Sequence, residues 1–429
     1  MRHSKISVWL FGGPEGRFDH RLLFVFLIVN GLVLFNAIFH DPTIQYDGGE
    51  HLTYVNALAG RQLPSANITY EFFSLIALMC LGALPVYYKT MAFVRGEPYV
   101  AFLTLAAIAA TTRALTLGRR SLADAIVPGS LWGLLVLARQ WGALSATGLV
   151  LAVWLTALRD WDRQKIAIGL IGSLVALLVG GWFYGWLWVS QGSPIAFSRS
   201  PTTPWTLRNQ PADFYTGTGN GRLFTDPIRS SFPNQLIPIF YTETWGDYWG
   251  YFLIYGRDPS SGTYVAGSDL EHAAAKTPLS IETNRFTLNK YLGRVNLLGL
   301  LPTALALIAF AAAAVRLPAF LSRGAPTTPS EIIPVMAVLV IVVSALGYLW
   351  FLVRYPNLGK GDTIKATYML HVFAPLALLT ADFVRRIRVT LTACFIAWGL
   401  LMMHNSFAVT THFYVSAPVS YPRGGWPAG

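Results

Sequence analysis

Charge is scarce. Only 12% of the 429 residues are Asp, Glu, Lys or Arg, where roughly 25% is usual in a soluble domain. Acids are the scarcest, 21 against 32 basic residues, for a formal net charge of +11. Cysteine is nearly absent. Cys80 and Cys394 both sit in apolar runs, which excludes a disulfide framework and a cysteine metal cage. Glycine-rich phosphate loops of the Walker or dinucleotide type are missing, as is a His-Glu-x-x-His helix, so the usual spacings for nucleotide or zincin-type chemistry are not encoded. What is abundant is apolar surface, 54% of residues, with a mean hydropathy of +0.47. That excess excludes disorder and argues against a soluble globule.

The location of the charges decides what the basic excess is for. Residues 190–291 hold eight basic and eight acidic residues. The whole excess therefore lies in the rest of the chain, mostly at the ends of apolar runs. Nucleic-acid binding concentrates cations on one polar face, whereas Lys and Arg flanking apolar runs orient a membrane protein. The predicted partner is a lipid bilayer, with no nucleic acid.

A spanning helix needs about 20 mostly apolar residues. Residues 22–39, 166–189, 295–315, 332–353 and 389–403 are the clearest runs. Residues 124–138 and 141–157 form a pair split by Arg139-Gln140, residues 366–381 form a shorter run, and 72–87 and 99–112 are the weakest. The predicted fold is an all-α polytopic membrane protein of about 9–11 transmembrane helices, with a juxtamembrane outer helix and one large outer loop. The chain divides into an N-terminal membrane half (1–189, with a first outer loop at 41–71), a large extracytoplasmic loop (190–291), C-terminal membrane helices (292–405) and an outer tail (406–429).

Arg2, Lys5, Arg17 and Arg21 precede the first run and place the N-terminus in the cytoplasm. That run offers no small-x-small cleavage site, so it reads as a retained anchor. Arg159/Arg163/Lys165, Arg316/Arg323 and Arg385/Arg386/Arg388 belong on the same inner face, which puts 190–291 and 354–365 outside. A parity conflict follows. If 72–87, 99–112, 124–138 and 141–157 each cross once, the large loop lands inside, so one of them must be non-spanning or a crossing is missing. Lys89/Arg95 and Arg113/Arg119/Arg120 flank one short run and cannot both be cytoplasmic.

Three segments carry chemistry-bearing residues. In the first outer segment, His51, Tyr54, Val55 and Leu58 recur at helical spacing, and Gly60 and Pro64 end the pattern. Asp47, Glu50 and His51 gather at the first turn of this helix, where they suit a proton acceptor or a divalent-cation site for Mg or Mn. Asp47 with Glu50 equally fits a capping box, and the two roles can coexist. In the large loop, eight aromatics between Phe240 and Tyr255 surround Glu243, Trp245 and Asp247. An interfacial aromatic belt accounts for most of the rings but does not require acids, so Glu243, Trp245 and Asp247 are candidate substrate-binding residues beside His51 and Tyr54. The third segment, 354–368, puts Arg354, Lys360 and Lys365 in an outer loop against the positive-inside tendency. An anionic group such as a lipid phosphate explains them, with snorkelling to headgroups as the plainer alternative.

Tyr46-Asp47-x-x-Glu50-His51-x-x-Tyr54, followed by Leu58, Gly60 and Pro64 directly after the first run, resembles the first outer loop of the GT-C superfamily of polytopic glycosyltransferases. That class includes protein O-mannosyltransferases and aminoarabinose transferases. The large outer loop and short inner loops are similar too. The resemblance implies a polyprenyl-phosphate-linked sugar donor, a glycan, lipid or protein acceptor, inversion at the anomeric carbon, and an active site on the extracytoplasmic side of a bacterial plasma membrane. It assigns the base role to Asp47, with Glu50 as helper or metal contact. The chain departs from the family in having Gly48 where a second acid often follows, and in the shortness of the run at 72–87. Lys365, Arg354 and Lys360 are then the cations for the donor phosphate. The rival readings are a membrane transporter, for which no internal repeat is visible, and a noncatalytic assembly subunit on the same scaffold.

Overall fold

The computed structural model describes most of residues 80–194, 204–245 and 280–386, apart from short breaks, together with short stretches at 256–257, 264–265 and 397–401. The first run, Asp47, Glu50, His51, Tyr54, Asp247, Lys360 and the tail 406–429 lie outside the described residues.

Hydrocarbon offers no water to the backbone, so a spanning segment must satisfy its own N–H and C=O groups, which a helix does. The described chain is almost wholly helical, its one sheet a two-residue antiparallel pairing of Gly256–Arg257 with Tyr264–Val265. The main helices are α1 (Pro85–Met91), α2 (Gly96–Thr116), α3 (Ala123–Ala138), α4 (Gln140–Asp160), α5 (Arg163–Gln191, with a π turn at Leu177–Gly181), α6 (Leu236–Trp245), α7 (Ser280–Ala314), α8 (Pro329–Arg354) and α9 (Leu370–Arg386). A 3-10 turn, Ala366–Met369, leads into α9. Six stretches among the described residues are long and apolar enough to cross a membrane: α2, α4, α5, Leu292–Ser322, α8 and Ala366–Val384. The protein is thus a multi-pass membrane protein. The shorter α3 is apolar as well.

Local chemistry sets the helix ends. Asp162 caps α5 by accepting from the N–H groups of Gln164 (2.8 Å) and Lys165 (3.4 Å). Gly192, at φ +69°, closes α5 by donating its N–H to the Trp188 carbonyl at 2.9 Å. The side chain of Glu331 reaches back to the N–H of Thr328 at 3.2 Å to start α8, with Pro329 in its first turn. Arg139 alone, in extended conformation, separates α3 from α4.

Lipid tails are as apolar as leucine, so helices in a bilayer associate by close packing at small residues. Here α3 and α5 run in the same direction and meet at Gly129, Gly133, Gly172, Ala176 and Gly180, spaced four apart on each helix. A Cβ on Gly129 would sit 2.5 Å from the Gly172 carbonyl oxygen, and one on Gly180 would sit 2.6 Å from that of Gly133. The α4–α8 pair is antiparallel, with Gly148 against the Val340 backbone and Gly347 against the Leu144 side chain. A polar layer crosses the same core. The Thr104 hydroxyl lies 3.2 Å from that of Ser145, and His371 Nε2 lies 2.9 Å from the Ser344 hydroxyl.

The bundle has two unlike ends. At the basic end, Asp160 pairs with Arg159 (2.5 Å) and with Lys165, and Thr327 bridges them by donating to Asp160 and accepting from Arg159 and Lys165, each at 2.7 Å. Arg159 also lies over the Phe320 ring at 4.0 Å. This network ties the α4–α5 turn to the start of α8. At the opposite, loop end, Arg139 pairs with buried Glu97 at 3.5 Å.

These contacts bear on the parity conflict. Glu97 meets Arg139 and Thr104 meets Ser145, so α2 and α4 point the same way and Arg113, in the last turn of α2, lies toward the basic end. The run read as weak at 99–112 is a full-length helix, and four consecutive helices carry the chain from Gly96 back to the same end at Gln191. The end of the other weak run, α1, packs on α6 and the Ala366–Met369 turn, which both sit at the loop end. It therefore finishes on the same side as Gly96.

Replacing Gly172 with Leu should force α3 and α5 apart, since a Cβ there lies 2.7 Å from the ring of fully buried Trp132. Overpacking of this kind costs about 1–3 kcal/mol or more. The thermal unfolding midpoint of the detergent-solubilised protein should fall by several degrees, whereas the same change at Gly185, where nothing lies within 4 Å, should leave it in place.

Candidate functional site at the loop end

The candidate site residues that the structure describes gather where the large loop meets the segment between α8 and α9. Residues 204–227 and 231–235 form short helical turns and connecting stretches that lie on the end of α8. Gln210, buried, donates to the Leu352 carbonyl at 2.7 Å and accepts from Asn234 at 2.8 Å. Asn209 donates to the Val353 carbonyl at 3.2 Å. Both side chains thereby satisfy carbonyls in the last turn of α8, which lack partners within their own helix. Gly361, at φ +64°, passes so close to this platform that a Cβ there would lie 2.9 Å from the Asn234 Cα. Only glycine meets both demands without strain.

Helix α6 then reaches from this platform to the start of α9. Glu243, with 0% exposure, accepts a hydrogen bond from the Ala366 N–H at 2.6 Å. The peptide groups on either side of Lys365 are also held. Its N–H donates to the Tyr348 hydroxyl oxygen at 2.7 Å, and the Tyr348 hydroxyl lies 3.1 Å from its carbonyl oxygen. The Lys365 ammonium sits 5.6 Å from the centroid of the Tyr368 ring, within cation–π range. Tyr368 stacks on Trp141 at 4.9 Å, and Trp141 meets Phe351 edge-on at 5.0 Å. Glu243 and Lys365, one acid and one cation predicted from separate segments, are thus neighbours through a single peptide bond.

The other predicted residues are placed as follows. Arg354 is the last residue of α8, half-exposed, and lies close enough to Tyr355 to oppose the rise that partial burial gives that phenol. Trp245 is buried, donates its indole N–H to Thr303 at 2.9 Å and packs on Trp398, which makes it a core contact between α6 and α7. Beside it, Tyr241 donates to the Asn296 carbonyl at 2.6 Å. Burial raises its phenol, a hydrogen bond with Thr303 working the other way, so it remains a donor across the neutral range. Among the described residues no three His, Cys, Asp or Glu side chains gather as a metal site. The predicted metal candidates, Asp47, Glu50 and His51, lie outside the described residues.

Sequence reasoning missed Tyr348, Trp141, Tyr368, Gln210 and Asn234. The break at Arg139-Gln140-Trp141 was the available signal for Trp141, because a charged interruption between two apolar runs must surface at one end of the bundle.

Gln210→Ala should detach the loop platform from α8 by removing both buried hydrogen bonds. A brief trypsin digestion of the solubilised protein should then cut at Arg208 or Arg222 at protease levels that leave the wild type whole. Equal resistance in the two proteins would show that Gln210 does not hold the loop.

No family model, characterised protein or solved structure matches this chain.

Proposed function

We propose that the chain is an integral membrane glycosyltransferase of the GT-C type. It moves a sugar from a polyprenyl-phosphate donor to an acceptor hydroxyl on the extracytoplasmic face, with inversion and with Asp47 as general base. The observation that carries this reading is the pairing of two features. One is the Tyr46-Asp47-x-x-Glu50-His51 segment after the first apolar run. The other is the set of cations Arg354 and Lys365 in a tightly held loop at the end of the bundle opposite Arg159, Arg163 and Lys165. The positive-inside rule makes that loop end the outer face, where a flipped donor presents its sugar.

The chemistry needs a base, a stabilised leaving group and a fixed donor. The Asp47 carboxylate takes the proton of the acceptor hydroxyl as its oxygen bonds to the anomeric carbon. The bond from that carbon to the phosphate oxygen breaks, and polyprenyl phosphate leaves with the electron pair. Lys365 and Arg354, with Lys360, supply the positive charge that stabilises it. Glu50, His51 and Tyr54 would line the base side and Asp247 the loop side, whereas Glu243, buried against the Ala366 N–H, stands behind the site and not in it.

Asp47→Asn should lower transfer from a radiolabelled polyprenyl-phosphate sugar by about 10²–10⁴-fold, the usual worth of a general base, with the protein still folded. Unchanged turnover in the purified variant removes the base role. The sidedness has its own check. In a chain with Cys80 and Cys394 replaced, Trp205→Cys should react with an impermeant maleimide on intact cells, and Ser322→Cys only after permeabilisation. The reverse pattern would put the site on the inner face.

A further inference from the structure

Glu243 is an expensive residue where it stands. A carboxyl group with 0% exposure is costly to bury unless hydrogen bonds compensate it. Its hydrogen bond goes to the backbone of Ala366, directly after Lys365. On the other side of the same residue, Tyr348 from α8 bridges the Lys365 N–H and carbonyl. Two elements distant in sequence therefore grip the main chain on both sides of one residue, whose side chain is half-buried. A lysine stem is ordinarily free to sample many rotamers. Here the backbone is fixed, and the aromatic ring of Tyr368, braced by Trp141, borders the ammonium.

We propose that Glu243 and Tyr348 are positioning residues that hold the Lys365 backbone so that its ammonium is presented to the phosphate head of a polyprenyl phosphate. This rests on the sugar-transfer reading in one respect, that Lys365 meets the donor phosphate. Glu243 touches no substrate. It acts through Lys365, and a carboxamide in its place keeps the oxygen that accepts the Ala366 N–H.

The test is a double-mutant cycle on binding of radiolabelled undecaprenyl phosphate by the full-length protein in nanodiscs, which needs no acceptor and no turnover. Lys365→Ala and Glu243→Ala should each weaken binding about tenfold, Glu243→Gln less than about twofold, and Glu243→Ala added to Lys365→Ala less than about twofold further, since residues acting as one unit are not additive. Tyr348→Phe, which keeps the ring and its packing, should repeat the Glu243→Ala pattern and carries the cycle if that variant fails to fold. Unchanged affinity in Lys365→Ala, or losses that simply add in the double variants, overturns the positioning role. A wild-type protein that does not bind undecaprenyl phosphate overturns the sugar-transfer reading instead.

Discussion

The absence of water from hydrocarbon governs this molecule. Each crossing segment closes its own backbone hydrogen bonds as a helix, and the buried side-chain hydroxyls follow the same rule. Thr104 returns its proton to the Val100 carbonyl at 2.7 Å, and Thr112 to that of Ile108 at 2.8 Å. Because apolar contact gains little over lipid, adhesion falls to backbones close enough for dispersion. That is why glycines line the α3–α5 and α4–α8 contacts. The two ends of the bundle are where water returns, and they are where the charges sit.

The ends are organised differently. At the basic end Arg159, Lys165 and Asp160 form a closed set with Thr327. One acid is shared between two cations, and the hydroxyl fills the remaining positions. At the loop end Glu243 accepts from the Ala366 N–H on one side of Lys365, and Tyr348 takes the Lys365 N–H on the other. One end is thus joined through charged side chains, and the other through hydrogen bonds to the main chain on both sides of Lys365.

The spans at 166–189, 295–315 and 332–353 are legible from hydropathy alone, since no charged residue interrupts any of them. Helix α2 was under-read because Thr104, Thr111, Thr112 and Arg113 dilute its hydropathy. Those threonines are compatible with a membrane core only because three of the hydroxyls, on Thr104, Thr112 and Thr111, find partners in the preceding turn or on Trp132, a tertiary fact that composition does not carry. Glu243 and Lys365 could be flagged separately, one as an acid inside an aromatic cluster and the other as a cation on the wrong side. Their adjacency was not legible, because it depends on how the platform at 204–235 seats on α8.

That seating explains why the loop contains so many small polar residues. Gln210, Asn209 and Asn234 are the right length to reach a helix terminus and leave no net charge there. A carboxylate at Gln210 would face the negative end of the α8 dipole and the carbonyl oxygens it now satisfies. Neutral amides fasten the platform to α8 without setting a charge against the helix terminus they satisfy.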